Sequence, residues 1–202
     1  MRILVVGASG TIGRPVVEAL SQGNEIIRAS SKTSPTKVDI SNPNSIRGMY
    51  HSLGRVDHVV CCAGDARFGP LDQLSDDDFR YCLDNKLMGQ VNLVRYGFEN
   101  ANDGGSFTLT SGVLAHTPMK GSGAISLVNA GLEGFARAAA LEAPRRIRVN
   151  VVSPPWVTET LIAFKMDPKD GVPAAEVAKA YVKVVTGKDS GRIVGIPEDT
   201  VR

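Results

Sequence analysis

Short apolar runs alternate along the chain with stretches in which apolar residues recur at helical spacing. The runs "RILVVG" at residues 2–7 and "DHVVCCAG" at residues 57–64 are mostly apolar and end in glycine. This pattern is typical of strands that are buried on both faces of a sheet. The same reasoning predicts strands at residues 25–30, 36–40, 105–111, 147–154 and 191–196.

The helices predicted between these strands carry recognisable start signals. Asn42 and Pro43 supply a cap and a first helical residue. Ser75, followed by Asp78, predicts a capping box at the start of a helix that continues to about Asn100. Strands and helices that alternate in this way predict one doubly wound α/β domain, a parallel sheet with helices on both faces. The other helices are predicted over residues 11–23, 122–143 and 173–185, and the domain over residues 1–202.

Composition and charge exclude few functions. Of the 202 residues, 43% are hydrophobic and 22% are charged, and the formal net charge is +2. These values are typical of a soluble globular protein. The densest basic cluster comprises Arg145, Arg146 and Arg148, and a solvated turn explains it better than a nucleic-acid patch does. We therefore expect no nucleic-acid partner.

The three cysteines, Cys61, Cys62 and Cys82, show neither a disulfide framework nor the spacing of metal ligands. A buried, reduced pair at 61–62 is the expected arrangement, with a redox-sensing thiol as the alternative. The apolar run that ends at Gly7 is too short for a signal-peptide core or a membrane span. The sequence therefore predicts a cytoplasmic protein without a metal and without a membrane partner.

The segment "GASGTIG" joins the first predicted strand to the first helix. Its glycines, Gly7, Gly10 and Gly13, permit a tight turn, a close approach of backbone N–H groups to a pyrophosphate, and close packing of helix on strand. In this context the spacing predicts a dinucleotide site of the Rossmann type. A purely structural turn is the alternative.

The end of the second strand bears on the choice of dinucleotide. An NAD site usually carries an acidic residue there, which binds the ribose 2′-hydroxyl. Residues 28–34, "RASSKTS", contain none. Ser30, Ser31 and Lys32 can instead receive a 2′-phosphate, so NADP is favoured over NAD. An unliganded polar loop is the alternative for these three residues.

Several motifs stand in the order found in the short-chain dehydrogenase/reductase family, which the sequence resembles over nearly its whole length. "CCAG" at residues 61–64 resembles that family's Asn-Asn-Ala-Gly stretch, with both asparagines replaced. Asn85 matches an asparagine that bends the long helix and holds a water in a proton relay. Ser111 matches the serine that bonds the substrate carbonyl. For Asn85 the alternative is a bridge to helix backbone, and for Ser111 a bond to local backbone.

The resemblance also implies which residues contact the cofactor. Asp39 would touch the adenine, Ala63 and Gly64 would lie along the ribose, and Pro154 would pass the nicotinamide. The full implied set is Gly7, Ser9, Gly10, Thr11, Ile12, Gly13, Ser30, Ser31, Lys32, Asp39, Ile40, Ala63, Gly64, Asn129, Pro154, Val157 and Thr158.

The family's proton-transfer pair, a tyrosine and a lysine, is missing. Alignment with the family puts Ile125 at the tyrosine and Asn129 at the lysine. Ile125 cannot donate a proton, and Asn129 offers hydrogen bonds without charge. General acid–base catalysis is typically worth about 10² to 10⁴ in rate. His116 is the substitute proton donor, with a surface histidine of no function as the alternative. Lys86, beside Asn85, is expected to point to another face of its helix.

Three functions remain open at this point. The first is an oxidoreductase that uses NADP(H) with a degenerate catalytic site and acts on a small carbonyl or activated double-bond compound. The second is a non-catalytic NADP(H)-binding sensor, and the third is a structural scaffold. The glycine loop argues against the scaffold, and the missing pair argues against ordinary ketone reduction.

The family resemblance further implies a homodimer or homotetramer that forms through the helices at 76–100 and 122–143. Gly131, Gly134 and Ala138 would allow close packing of such helices. The alternative is that these small residues pack against the sheet of the same chain.

Overall fold

The computed structural model describes residues 1–197, so the last five residues of the predicted domain lie outside the described part. The described residues form one parallel sheet in the order β3-β2-β1-β4-β5-β6-β7. The order reverses next to β1, and in parallel sheets such a reversal opens a crevice at the carboxyl ends of the strands. The strands are β1 (Arg2–Val6), β2 (Glu25–Ser30), β3 (Thr36–Lys37), β4 (Val56–Cys61), β5 (Ala101–Thr110), β6 (Arg148–Ser153) and β7 (Ile193–Gly195).

Helices cover both faces of the sheet, which confirms the predicted fold class. They are α1 (Gly13–Leu20), α2 (Pro43–Leu53), α3 (Asp76–Cys82), α4 (Gly89–Gly97), α5 (Gly123–Glu142), α6 (Thr158–Ala163) and α7 (Ala174–Thr186). Helices α1 and α7 share one apolar core, and α2, α4 and α5 share the other. None of the helices in the described residues combines the length and apolarity needed to cross a membrane.

Strand β1 shows how the sheet joins the two cores. Ile3 and Val5 pack into the core with α1 and α7, whereas Leu4 and Val6 pack into the core with α2, α4 and α5. Successive side chains of a strand point to opposite faces, so an uninterrupted apolar run is what a doubly covered strand requires. The sheet is thereby held from both sides, and the loops at its carboxyl edge start from a fixed frame.

The long helix predicted from Ser75 to about Asn100 is not one regular helix. It begins with the predicted capping box between Ser75 and Asp78. A π-helical turn, Leu83–Met88, then separates α3 from α4. A π turn contains one residue more than an α turn, so the side chains within it are rotated relative to the regular prediction. This rotation decides which residues of the turn reach the carboxyl edge of the sheet.

Two connections near the carboxyl edge are short. β2 and β3 are joined without a helix, as the spacing implies, and β3 covers two residues instead of the predicted residues 36–40. It ends early because the Asp39 N–H turns to donate to the Ser45 hydroxyl at 3.0 Å, at the approach to α2. Between Pro155 and Pro173 there are only α6 and one 3₁₀ turn, which leaves a small covering segment over this edge.

Candidate functional site

The glycine loop lies where the carboxyl ends of β1 and β4 meet. Gly7 has a φ of +82°, and a Cβ there would lie 2.7 Å from the backbone nitrogen of Ala63. A Cβ on Gly13 would lie 2.0 Å from the carbonyl oxygen of Gly7, so α1 begins in direct contact with the loop. Only glycine fits these positions. The loop and the start of α1 therefore form a backbone cradle of the kind that receives phosphate groups.

A cleft of about 280 Å³ connects this loop with most of the residues predicted to contact a cofactor. It runs across the carboxyl ends of β2, β1 and β4. Ile12, by contrast, packs into the core behind the loop. The cleft is lined by the predicted residues Gly7, Ser9, Gly10, Ser30, Ser31, Asp39, Ile40, Ala63 and Gly64, together with Val6, Val38, Cys62, Asp65 and Asn85.

The turn after β2 is shaped by Ser30. Its hydroxyl accepts hydrogen bonds from the N–H groups of Thr33 at 3.2 Å and Ser34 at 2.8 Å. Ser31 lines the cleft, and Lys32 follows with an exposed side chain. A hydroxyl and an ammonium at this place suit a phosphate, because both can donate charge-favoured hydrogen bonds to it.

Asn85 closes the cleft from the π turn. Its Oδ1 accepts a hydrogen bond from the N–H of Asp65 at 2.8 Å. The carboxylate of Asp65 in turn accepts a hydrogen bond from the Tyr81 hydroxyl at 2.8 Å. The side chain of Asn85 therefore holds the loop after β4 in place, so that one wall of the cleft is tied to the π turn.

Lys86 is buried at the same edge of the sheet. It is only 8% exposed, and its ammonium lies 3.5 Å from the Thr110 carbonyl oxygen. Among the described residues its ammonium forms no ion pair with a carboxylate. Burial lowers the pKa of Lys86, because desolvation disfavours the charged amine. Lys86 does not line the cleft that Asn85 lines, but the π turn brings its ammonium to the end of β5, beside the Thr110 carbonyl.

A second polar cluster lies beyond the end of β5. The Ser111 hydroxyl donates to Oε1 of Glu133 at 2.8 Å, and Oε2 of Glu133 lies 2.7 Å from Nε2 of His116. Glu133 is 2% exposed and Ser111 is 4% exposed, whereas the side chain of His116 is 28% exposed. A chain of hydrogen bonds thus leads from solvent at His116 to the buried Ser111. Sequence reasoning missed Glu133, although it follows Asn129 by one helical turn on the same face of α5.

Helix α5 carries Ile125 and Asn129, the residues that the sequence alignment predicts at the positions of the tyrosine and the lysine. Ile125 is partly exposed and offers no polar atom. Asn129 is 1% exposed, and its Nδ2 donates to the Gly112 carbonyl at 3.4 Å. Its Oδ1 is buried without a hydrogen-bond partner among the described residues. A Cβ on Gly112 would lie 3.0 Å from Nδ2 of Asn129, so Gly112 faces Asn129 while Ser111 turns to Glu133.

The segment after β6 lies beside the loop that follows β5. The Pro154 carbonyl accepts a hydrogen bond from the Val113 N–H at 2.9 Å. Val157 is buried and forms a parallel bridge with Val172, and the Thr158 N–H donates to the Val172 carbonyl at 3.0 Å. These three residues of the predicted cofactor set therefore lie on the same carboxyl edge as the glycine loop, farther along the sheet.

Tyr181 on α7 does not supply a substitute proton donor. Its hydroxyl lies 2.6 Å from Oγ1 of Thr110, which donates to the carbonyl of Cys61. Tyr181 is fully buried, and burial raises its pKa, the reverse of what a proton donor near neutral pH needs. Burial also raises the pKa of Cys61 to about 12, which disfavours the alternative of a redox-sensing thiol.

Comparison with known proteins identifies the family. The profile of the family described as "Enoyl-(Acyl carrier protein) reductase" (adh_short_C2) matches residues 14–194. The chain belongs to the short-chain dehydrogenase/reductase family. Among sequence relatives, the 3-oxoacyl-[acyl-carrier-protein] reductase FabG of Buchnera aphidicola is 29% identical over 174 residues, which is 75% of this chain and 71% of that protein.

Two solved structures are similar to nearly the whole chain. The crystal structure of the protein lin1944 from Listeria innocua has a TM-score of 0.94 and 39% identity, and the match covers 97% of this chain and 99% of that one. A small-chain dehydrogenase in complex with NADPH has a TM-score of 0.86 and 25% identity, with coverages of 96% and 95%. Both matches also span nearly the full length of the solved chains.

Proposed function

We propose that the protein binds NADP(H) and acts as an atypical oxidoreductase on a small carbonyl or activated double-bond compound. The observation that carries the proposal is the glycine cradle at the crevice between β1 and β4. A Cβ at Gly7 or Gly13 would meet backbone atoms at 2.7 or 2.0 Å, so glycine at both positions preserves the tight strand-to-helix turn that receives a pyrophosphate in dinucleotide sites. The cofactor, when bound, would supply the hydride. The residues of the chain would bind the cofactor and supply the proton donor.

The preference for the phosphorylated cofactor rests on the turn after β2. This turn presents Ser31 and Lys32 and has no carboxylate in residues 28–34 that could bind a ribose 2′-hydroxyl. The structural relative in complex with NADPH supports the same choice. NADP(H) is therefore the proposed cofactor, and NAD(H) would bind more weakly.

The proton comes from the cluster beyond β5 in this proposal. Carbonyl reduction requires a proton on the carbonyl oxygen, and Ile125 has none to give. His116 reaches solvent and is held by the buried carboxylate of Glu133 at 2.7 Å. A carboxylate at that distance fixes the orientation of the ring, as a positioned general acid requires. Ser111 and Asn85 then act in positioning, through Glu133 and through the cleft wall.

A second candidate function is a sensor that binds NADP(H) without turnover. The observation that favours it is the apolar side chain of Ile125, which occupies the position of the family's proton donor on α5. The cradle for the cofactor does not depend on that position. Binding and turnover are therefore separable in this chain, and two measurements separate them.

The first measurement is thermal melting with NADP⁺, NADPH, NAD⁺ and NADH, each titrated over a wide concentration range. A ligand that binds only the native state raises the free energy of unfolding by about 2.7 kcal/mol at 100 times its Kd, and the melting temperature rises with it. We expect a clear shift with the phosphorylated forms and a smaller one with the others. Equal curves with all four ligands at saturating concentration would contradict the proposed cofactor site.

The second measurement follows NADPH fluorescence during incubation with a panel of small ketones, aldehydes and enones. Consumption that depends on the protein and the added compound supports the oxidoreductase. Binding of NADPH without consumption across the panel supports the sensor instead. The two candidate functions thus give opposite results in one assay.

A further inference from the structure

Lys86 has too few partners for a buried ammonium. An ammonium carries three N–H donors. In the described residues its contact is the Thr110 carbonyl at 3.5 Å, the outer limit for a hydrogen bond. A buried cation is normally paired with an anion or with several acceptors, because it has lost its hydration. The position therefore implies an additional acceptor that arrives with a ligand.

The side-chain amide of Asn129 has an oxygen without a hydrogen-bond donor in the described part of the chain. Its amide nitrogen is engaged with Gly112, while its Oδ1 is buried and has no donor among the described residues. Buried amide oxygens in native structures nearly always accept a hydrogen bond. The oxygen is therefore available to accept a hydrogen bond from a ligand at this place.

The two side chains are anchored on the same short stretch of backbone. Lys86 contacts the carbonyl of Thr110, and Asn129 contacts that of Gly112, two residues farther. The π turn and α5 pack together at Leu87 and Gly131. A Cβ on Gly131 would lie 3.3 Å from the Cδ atoms of Leu87.

Glycine keeps the space beside Lys86 open toward the cleft. A Cβ on Gly64 would lie 3.1 Å from Cγ of Lys86, and Gly64 itself lines the dinucleotide cleft. The ammonium is therefore next to the cleft without being part of its exposed wall.

We propose that Lys86 and Asn129 together bind a ribose hydroxyl in the half of NADP(H) remote from the 2′-phosphate. A hydroxyl is the group that fits both, because it accepts a hydrogen bond from the ammonium and donates one to the amide oxygen. Ser31 and the glycine loop lie at the β2–β1 end of the cleft, whereas Lys86 and Asn129 lie at β5, where the second half of a dinucleotide extends. This inference rests on the proposed function.

The site takes its cation from a different element than the family resemblance implies. The family's lysine would come from position 129 on α5, and here that position holds a neutral amide. Lys86 reaches the same backbone stretch from the π turn, at the carbonyl of Thr110. The charge is therefore retained beside the cleft although the lysine of the pair is lost.

Substitution Lys86→Met tests the inference. Calorimetric titration compares NADP⁺ with 2′,5′-ADP, which carries the 2′-phosphate but lacks the nicotinamide half. We expect NADP⁺ to bind about tenfold more weakly to the variant, and 2′,5′-ADP to bind as to the wild type. Without ligand, the variant should melt at the wild-type temperature or above, because an unpaired buried charge has been removed. Lys179→Met, on the opposite face of the sheet, is the matched control and should change neither affinity.

A second experiment moves the ammonium from position 86 to position 129. Lys86→Met combined with Asn129→Lys should recover NADP⁺ affinity, because the new ammonium starts beside the Gly112 carbonyl and extends into the vacated space. Asn129→Lys alone should lower the melting temperature of the free protein, because two ammonium groups then share one buried place.

The outcomes separate the inference from the function it rests on. Wild-type protein that binds both ligands, with Lys86→Met unchanged toward NADP⁺, overturns the inference alone. An equal loss for NADP⁺ and 2′,5′-ADP also overturns it, since that result indicates a general effect on the fold or the charge. Wild-type protein that binds neither ligand overturns the proposed function and the inference together.

Discussion

His116 and Glu133 are the proposed proton-donating pair, with 2.7 Å between Nε2 and Oε2. Substitution His116→Asn keeps a side-chain N–H that can donate to Glu133 but removes the titrating ring. We expect kcat for NADPH-dependent reduction to fall by about 10² to 10⁴, the usual worth of a general acid. The affinity for NADPH should stay unchanged, because the ring is not part of the glycine cradle.

The measurement is steady-state kinetics with the best substrate of the carbonyl panel. His51→Gln, an exposed histidine on α2, is the control and should keep the wild-type kcat. A wild-type kcat in His116→Asn would mean that the proton comes directly from water, and His116 would then be the surface residue of the alternative interpretation.

His58 on β4 makes stability depend on pH. Its Nδ1 lies 2.8 Å from the Ser106 hydroxyl, and burial, followed by the charge of Arg148, lowers its pKa from 6.5 to about 4. The unfolded chain therefore binds this proton at a higher pH than the folded chain does. The stabilisation is complete above pH 6.5 and is lost as the pH falls toward 4, by up to about 3 kcal/mol.

Urea unfolding at about pH 7 and about pH 4.5 checks this contribution. The wild type should lose more stability between the two values than His58→Gln does, because glutamine does not titrate. His51→Gln, with its exposed site, should keep the full wild-type loss. Parallel losses in wild type and His58→Gln would show that carboxylates alone account for the acid sensitivity.

At the scale of elements, the parts of the fold that depend on local signals were predictable. The caps at Asn42 and Ser75 are in the structure as the sequence predicts them, since a capping side chain bonds within its own turn. The apolar strands followed from their composition, because burial on both faces excludes polar positions. The lengths of β3 and of the long helix were wrong, because each is ended or altered by contacts with another element.

The π turn shows why the candidate site was only partly predictable. Regular helical spacing separates neighbouring residues by about a hundred degrees, so Lys86 was expected on a different face from Asn85. In the structure Asn85 reaches Asp65 and Lys86 reaches Thr110, both at the carboxyl edge. A π turn depends on tertiary packing and leaves no reliable local pattern. The cluster with Glu133 was missed for a related reason, since its partners come from segments 17 and 22 residues away.

At the scale of the whole molecule, α5 presents an uncovered face. Leu127 is 49% exposed and Leu141 is 90% exposed. Gly134 and Ala138 lie exposed between them at helical spacing, and a Cβ on Gly134 would meet nothing within 4 Å. Gly131, in contrast, packs on Leu87 within the chain. Two exposed leucines around small residues form a smooth apolar stripe, which supports the predicted association through this helix.

Gly134→Glu tests whether copies of the chain pair through that stripe. Glutamate favours a helix over glycine by about 0.5–1 kcal/mol, so the folded monomer should be at least as stable. A charge in the middle of a close helix contact should nevertheless lower the oligomeric mass to that of a monomer. Light scattering during gel filtration over a range of concentrations measures that mass.

Lys188→Glu, beyond α7, adds the same negative side chain away from α5 and should leave the mass unchanged. If Gly134→Glu keeps the wild-type oligomeric mass, the partner contact lies elsewhere, and if the wild type is itself a monomer, the predicted association is wrong.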